Sequence, residues 1–249
     1  MNLNALLDPL AIALFAMFVL VWPVSGVLDY RRLIRRTEEN IPDVRLRYYR
    51  LTIVWEWASL AVFLAWWFWA GLGAARLGLV ANPSGSQWRT IGIGIGLCAL
   101  FVVQMVGTTR SPKSLAKIRR NLGNLEAMSP RNPRELRGFD LLSITAGICE
   151  EILYRGVIFA VLTPAIGTWP AVVVSCVIFG LAHIYQGPLG FLKTAMIGGA
   201  FALLTVFSGS LYIAIIVHIV MDMTIGRIMT AAVALPEEAT ASEEVSAAQ

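Results

Sequence analysis

Charged residues are scarce in this chain, at 14% of its 249 residues, against roughly 25% in soluble proteins. Hydrophobic residues make up 57% of the sequence, and the mean hydropathy is +0.69. This balance excludes an ordinary soluble domain and predicts an all-α fold, namely a polytopic bundle of transmembrane helices. The net charge of +4 does not indicate nucleic-acid binding, because the basic residues cluster in loops between apolar runs.

Cysteine and histidine are scarce as well. The three cysteines (Cys98, Cys149 and Cys176) lie inside apolar runs and lack the spacing of a metal site, so we interpret them as packing residues. The chain has only two histidines, and the H-E-x-x-H helix of zinc metalloproteases is absent. No strong internal repeat is visible, which counts against a transporter built from matching halves.

Seven apolar runs are candidates for membrane spans, each of which takes about 20 residues as a helix. We interpret the first run as a retained span rather than a signal peptide, because no Lys or Arg precedes it. Glu56 lies near the start of the second run, where we expect it at the membrane interface. The runs cover residues 6–28, 51–72, 88–107, 139–166, 171–184, 189–207 and 211–229.

Basic residues concentrate in two loops, at about 29–50 and 108–137, which follow the first and third runs. Lys and Arg favour cytoplasmic loops, so the two loops are expected on the same side of the membrane. This pattern predicts an integral membrane protein with its N-terminus outside and its C-terminus in the cytoplasm. The brief loops and the lack of an organelle signal favour a bacterial plasma membrane.

The fourth run contains Glu150, Glu151 and Arg155, although charges at that depth cost on the order of 2.5–3.5 kcal/mol each. Such charges indicate a functional site. Glu151 and Arg155 are four residues apart, so they share a helix face and can neutralise one another. Glu150 lies about 100° further round the helix, with only the Tyr154 hydroxyl within reach. We therefore expect Glu150 to be the carboxylate that is available for chemistry.

Both histidines also belong to apolar runs, His183 in the fifth and His218 in the seventh. Asp222 follows His218 by four residues, which places the two side chains on one helix face. In hydrocarbon, these groups and Glu150 should face one another or a water-filled cavity.

Several functions fit these groups. A carboxylate beside an imidazole can activate water for peptide hydrolysis, while a second imidazole stabilises the oxyanion. Alternatively, Glu150, His183 and His218 could bind a divalent metal such as zinc. A proton-coupled transporter also uses Glu and His, and a non-catalytic immunity or scaffold protein could retain a degenerate site.

The ordered motifs resemble those of a known family. Glu-Glu-x-x-x-Arg at 150–155, Phe-x-x-x-His at 179–183 and His-x-x-x-Asp at 218–222 resemble the CPBP family (CAAX protease and bacteriocin-processing, or Abi). These are intramembrane proteases related to the Ras-converting CAAX endopeptidase. The resemblance divides the chain into an N-terminal part of three spans with two basic cytoplasmic loops, a catalytic core and a disordered acidic tail. The three parts are residues 1–137, 138–230 and 231–249.

The resemblance implies that Glu150 is the water-activating base and that His183 is its partner. His218 and Asp222 would be the oxyanion-stabilising pair. The supporting residues would be Glu151, Arg155 and Phe179.

Asp222 departs from the Asn that more usually ends the last motif. An ionised Asp cannot donate a hydrogen bond to an oxyanion, so Asp222 must be protonated or act through His218. Members of the family have been described both as metalloproteases and as glutamate-dependent proteases. The missing H-E-x-x-H helix and the expected pairing of Glu151 with Arg155 favour catalysis without a cofactor, with a divalent metal as the alternative.

The expected partners are the lipid bilayer and a peptide or protein substrate, including one anchored in the membrane; nucleic acid is not expected. Eukaryotic relatives cut prenylated C-terminal tails, whereas a prenylated substrate is less expected in a bacterial membrane. Peptide maturation, bacteriocin self-immunity and protein export are all open as roles.

Overall fold

The structure, a computed structural model, describes residues 9–80 and 85–236, and these residues form ten α-helices and no strand. The predicted all-α fold is therefore confirmed. The helices are α1 Pro9–Ala16, α2 Trp22–Glu38, α3 Val44–Trp69, α4 Gly85–Thr109, α5 Pro112–Leu122, α6 Pro133–Glu150, α7 Phe159–Ile166, α8 Thr168–Ala182, α9 Pro188–Ser208 and α10 Leu211–Val233.

Two π-helical segments turn pairs of these helices into longer rods. Met17–Val21 joins α1 to α2, and Glu151–Ile158 joins α6 to α7. Short 3₁₀ turns occupy Ala74–Leu77, Gly123–Met128 and Ile184–Gln186. Residues 237–249, which hold most of the predicted acidic tail, lie outside the described residues.

Five helical segments are long and apolar enough to cross a membrane, which agrees with an integral membrane protein. Large apolar side chains such as Trp69, Ile95, Val103 and Met196 are exposed on the outside of the bundle, as expected for a surface against lipid. The two remaining predicted spans correspond to the α6–α7 rod and to the shorter α8, so the count of seven spans stays a prediction. The five segments are Ile12–Glu38, Val44–Trp69, Trp88–Thr109, Pro188–Ser208 and Leu211–Val233.

The two basic regions, predicted as loops, are largely helical. α2 continues to Glu38 and α3 already begins at Val44, so only a short turn separates them. Arginine is a good helix former, and its long side chain can reach water from a helix end, so the helices extend past the apolar runs. The second basic region contains α5, the Gly123–Met128 turn and the start of α6.

α6 lies at the centre of the bundle, between α3 and α10. Its contact with α10 depends on Gly147, where a Cβ atom would lie 2.4 Å from Cγ1 of Ile219 and 3.2 Å from the carbonyl oxygen of Ile215. The missing side chain therefore brings the end of α6, which carries the paired glutamates, against the helix that carries His218.

Local signals fix where α6 begins. The Asn132 side chain accepts hydrogen bonds from the backbone N–H groups of Arg134 and Glu135, at 3.0 and 2.9 Å. Pro133 takes the first helical position, where its missing N–H costs nothing. This cap satisfies two backbone N–H groups in the first turn and so fixes the start of the helix that carries the two glutamates.

Candidate active site

Glu151 and Arg155 form an ion pair that is closed off from solvent. Arg155 Nη1 lies 3.0 Å from Glu151 Oε1, and both side chains are 0% exposed. Arg155 Nη2 donates a second hydrogen bond to the carbonyl oxygen of Gly198, at 2.9 Å. Buried charges are tolerated when they are paired and hydrogen-bonded, so this pair neutralises the second glutamate as its spacing predicts.

The pair lies in the π-helical segment, whose wider turn leaves backbone groups to be satisfied from outside the helix. The Ser175 hydroxyl on α8 donates to the carbonyl oxygen of Tyr154 at 3.1 Å. Such π-helical turns frequently occur at functional sites. The sequence pattern predicts a regular helix here and does not indicate this segment.

His218 is oriented by the same carboxylate. Its Nδ1 atom lies 2.9 Å from Glu151 Oε1, and because a carboxylate only accepts, Nδ1 carries a proton. The Phe201 ring stacks on the imidazole with centroids 4.7 Å apart and an angle of 18°. The other nitrogen, Nε2, faces Oε2 of Glu150 at 3.8 Å and Oδ2 of Asp222 at 3.6 Å.

His183 is oriented by its own helix. It follows the last residue of α8, and its Nδ1 atom lies 2.9 Å from the carbonyl oxygen of Phe179. A carbonyl oxygen only accepts, so the proton is on Nδ1 and the neutral ring has a lone pair on Nε2. That lone pair is on the atom that faces Oε1 of Glu150, at 3.9 Å.

Glu150 therefore has one histidine at each carboxylate oxygen. Its side chain is 12% exposed, so water can reach it. The hydrogen bond from Tyr154 to Glu150 that the spacing allows is absent among the described residues, where Glu150 faces the two imidazoles instead. The structure thus brings the four expected catalytic residues together. Phe179 contacts both rings, tilted by 47° to His183 and edge-on to His218.

A comparison with protein families identifies this region. The family described as "Type II CAAX prenyl endopeptidase Rce1-like" matches residues 135–224, which contain all three motifs. The match makes this segment, 90 of the 249 residues, similar to the CAAX proteases. The resemblance stated from the motifs is therefore confirmed, and it supports an endopeptidase. No curated protein and no solved structure matched the chain.

The CAAX protease segment does not present a ready metal site. Within residues 9–80 and 85–236, no three His, Cys, Asp or Glu side chains are arranged to hold a metal ion. The nitrogen and oxygen atoms that face one another lie 3.6–3.9 Å apart, and both histidines direct Nε2 towards Glu150. The zinc alternative nevertheless stays a prediction, because a metal-binding His usually donates its other ring N–H to a carboxylate or a carbonyl, as both histidines do here.

Two cavities meet at the site. The central cavity, of about 240 Å³, extends from Glu150 past His218 and Asp222 to Met128. The α2–α3 cavity, of about 230 Å³, lies between the first two long helices. Glu150 and His183 line both cavities.

Glu56 is a site residue that the sequence pattern places elsewhere. It is 5% exposed and lines both cavities, rather than lying at the interface as expected. The difference arises because α3 begins at Val44 instead of residue 51, which moves Glu56 towards the middle of the helix. The sequence signal that could have identified Glu56 as a site residue is a carboxylate within an apolar run.

Proposed function

We propose that the protein hydrolyses peptide bonds inside the membrane with a water molecule activated by Glu150 and His183. The supporting observation is that His183 Nε2 and Glu150 Oε1 face one another at 3.9 Å. The tautomer set by the Phe179 carbonyl makes both atoms acceptors, and the distance is too long for a direct hydrogen bond. One water can donate a proton to each of them and keep a lone pair for attack.

The proposed reaction starts when this water attacks the carbonyl carbon of the substrate. Glu150 takes the proton that the water loses, and the carbonyl oxygen becomes an oxyanion. The carbon–nitrogen bond then breaks, and the leaving amine receives the proton from Glu150. The products are a carboxylate terminus and an amine terminus.

His218 is positioned to stabilise the oxyanion in this scheme. Carboxylate oxygens face both of its ring nitrogens, which favours the doubly protonated ring with a donor on Nε2. Asp222, at 3.6 Å, then acts through His218 by stabilising the positive charge of the ring. This role explains how Asp222 can occupy the position at which Asn is more usual.

The proposed orientation follows from the charge pattern. Arg119 and Arg131 belong to the region between α4 and α6, which we assign to the cytoplasm together with the turn between α2 and α3. Met128 of the same region lines the central cavity. We therefore propose that the substrate enters the central cavity from the cytoplasmic side.

A comparison of membrane peptidomes tests the function. Cells would carry the wild-type protein, Glu150→Ala, His183→Ala, or the control Glu126→Gln, which removes a charge from an exposed pair with Arg131. We expect new peptide termini with the wild type and the control, and none with the two site variants. Identical peptidomes from all four folded proteins would overturn the proposal.

A further inference from the structure

The charged side chains that line the α2–α3 cavity are acidic. Among residues 9–80 and 85–236, three carboxylates line it, those of Asp29, Glu56 and Glu150, and no Lys or Arg does. Asp29 is 45% exposed and pairs with Arg32 at 2.7 Å, so it lies at the open end. Glu56 and Glu150 lie deeper, and only Glu150 belongs to the CAAX protease motifs.

Glu56 lacks the partner that a buried carboxylate needs. Its Oε2 atom is buried and has no hydrogen bond within the described residues. Leaving a buried charged or polar group unpaired is costly, and such a group in a native fold calls for an explanation. A cation that enters the cavity from outside the chain would provide the missing partner.

The walls of the cavity also suit a cation with an apolar stem. Trp22, Tyr48 and Trp55 line it alongside the carboxylates. Aromatic rings attract Lys and Arg head groups and pack against their methylene chains. The cavity is about 230 Å³, below the roughly 300–1,000 Å³ of pockets that hold whole small ligands. One long side chain fits this size better than a peptide does.

The position of the cavity relates it to the bond that is cut. Glu150 and His183 form part of its lining, and they are also the residues that we assign to water activation. A side chain held against Glu56 therefore belongs to a residue next to the scissile bond. We propose that the α2–α3 cavity is a specificity subsite in which Glu56 binds a Lys or Arg side chain of the substrate, an inference that rests on the proposed protease function.

Cleavage-site profiling tests the subsite. Purified protein in detergent would be incubated with a proteome-derived peptide mixture, and the cut bonds would be identified by mass spectrometry. We expect the wild type to favour bonds with Lys or Arg within two positions, by about 10-fold over their background frequency. Glu56→Gln should lose that preference and Glu56→Lys should favour Asp or Glu, while Glu126→Gln should keep the wild-type preference. Cleavage without a basic preference, or a preference that survives Glu56→Gln, would overturn the inference.

A binding measurement keeps the inference separate from catalysis. Butylguanidinium carries the head group of Arg, and butylurea has the same shape without the charge. A ligand that binds only the folded protein raises the thermal unfolding midpoint. We expect butylguanidinium to raise the midpoint of the wild type and of Glu126→Gln in a saturable way, with no shift from butylurea and none in Glu56→Gln. An equal response of Glu56→Gln would refute the subsite, whereas binding without any peptide cleavage would refute only the protease function.

Discussion

The Nδ1 atom of His218 lies 2.9 Å from the Oε1 atom of Glu151, and this oxygen also accepts the hydrogen bond from Arg155 at 3.0 Å. One buried oxygen thus joins the ion pair of the π-helical segment to the ring of α10. The Glu151–Arg155 ion pair, which offsets the charges in the fourth apolar run, therefore also orients His218 towards Glu150. This atom therefore links the structural role of Glu151 to its proposed role in positioning His218.

Removing Arg155 should destabilise the fold. Arg155→Met leaves the buried Glu151 with His218 as its remaining partner, and breaking a buried ion pair costs about 3–5 kcal/mol. Unfolding in detergent with added denaturant would measure the loss. Arg131→Met is the matched control, because it breaks a pair whose side chains are 39% and 38% exposed, and exposed pairs contribute about 1 kcal/mol or less. Equal losses in the two variants would contradict the prediction.

Gly198 and Gly199 should respond differently to the same substitution. A Cβ atom at Gly198 would lie 2.8 Å from Cδ1 of Phe179 and 2.9 Å from Nη2 of Arg155, whereas at Gly199 the nearest atom is Sγ of Cys176 at 3.6 Å. Gly198→Ala should therefore lose about 1–3 kcal/mol of stability through overpacking.

Gly199→Ala should be neutral or slightly stabilising, because it adds only ordinary contacts in a helix. Thermal unfolding of the two variants side by side would decide, and peptide cleavage should fall only in Gly198→Ala. A stable and active Gly198→Ala would show that Arg155 and Phe179 are not held where the structure places them.

The sequence predicts a large part of this arrangement from helical spacing alone. The four-residue separations of Glu151 from Arg155 and of His218 from Asp222 both correspond to contacts in the structure. These predictions hold because a helix brings such residues together whatever surrounds it.

Contacts between distant helices could not be derived in this way. The bond from His218 to Glu151, the stacking of Phe201 and the burial of Glu56 all depend on how α3, α6, α9 and α10 pack. The π-helical segment likewise follows from packing rather than from periodicity. Spacing therefore predicts the separate parts of the site, whereas packing sets the orientation of His218.

Asp222 offers a test of the oxyanion assignment. Asp222→Asn supplies an amide N–H that can donate to the oxyanion directly, so we expect cleavage within about 3-fold of the wild type. Asp222→Leu keeps a similar size without a polar group, and it should lower the rate by about 10²-fold, the lower range for loss of an oxyanion-stabilising group. Steady-state rates on one peptide found by the profiling would compare the three proteins. An Asp222→Leu enzyme with full activity would remove this residue from the mechanism.

Chelators should leave cleavage intact. In the proposed mechanism the water is held by Glu150 and His183, so no step requires a metal ion. We expect 1,10-phenanthroline to change the rate of the purified protein by less than about 2-fold, whereas Glu150→Gln should lose about 10²–10⁴-fold as expected for a general base. A rate that falls with the chelator and returns on adding zinc would instead assign Glu150, His183 and His218 as metal ligands, which would require the three side chains to move closer together than the 3.8–3.9 Å seen between them.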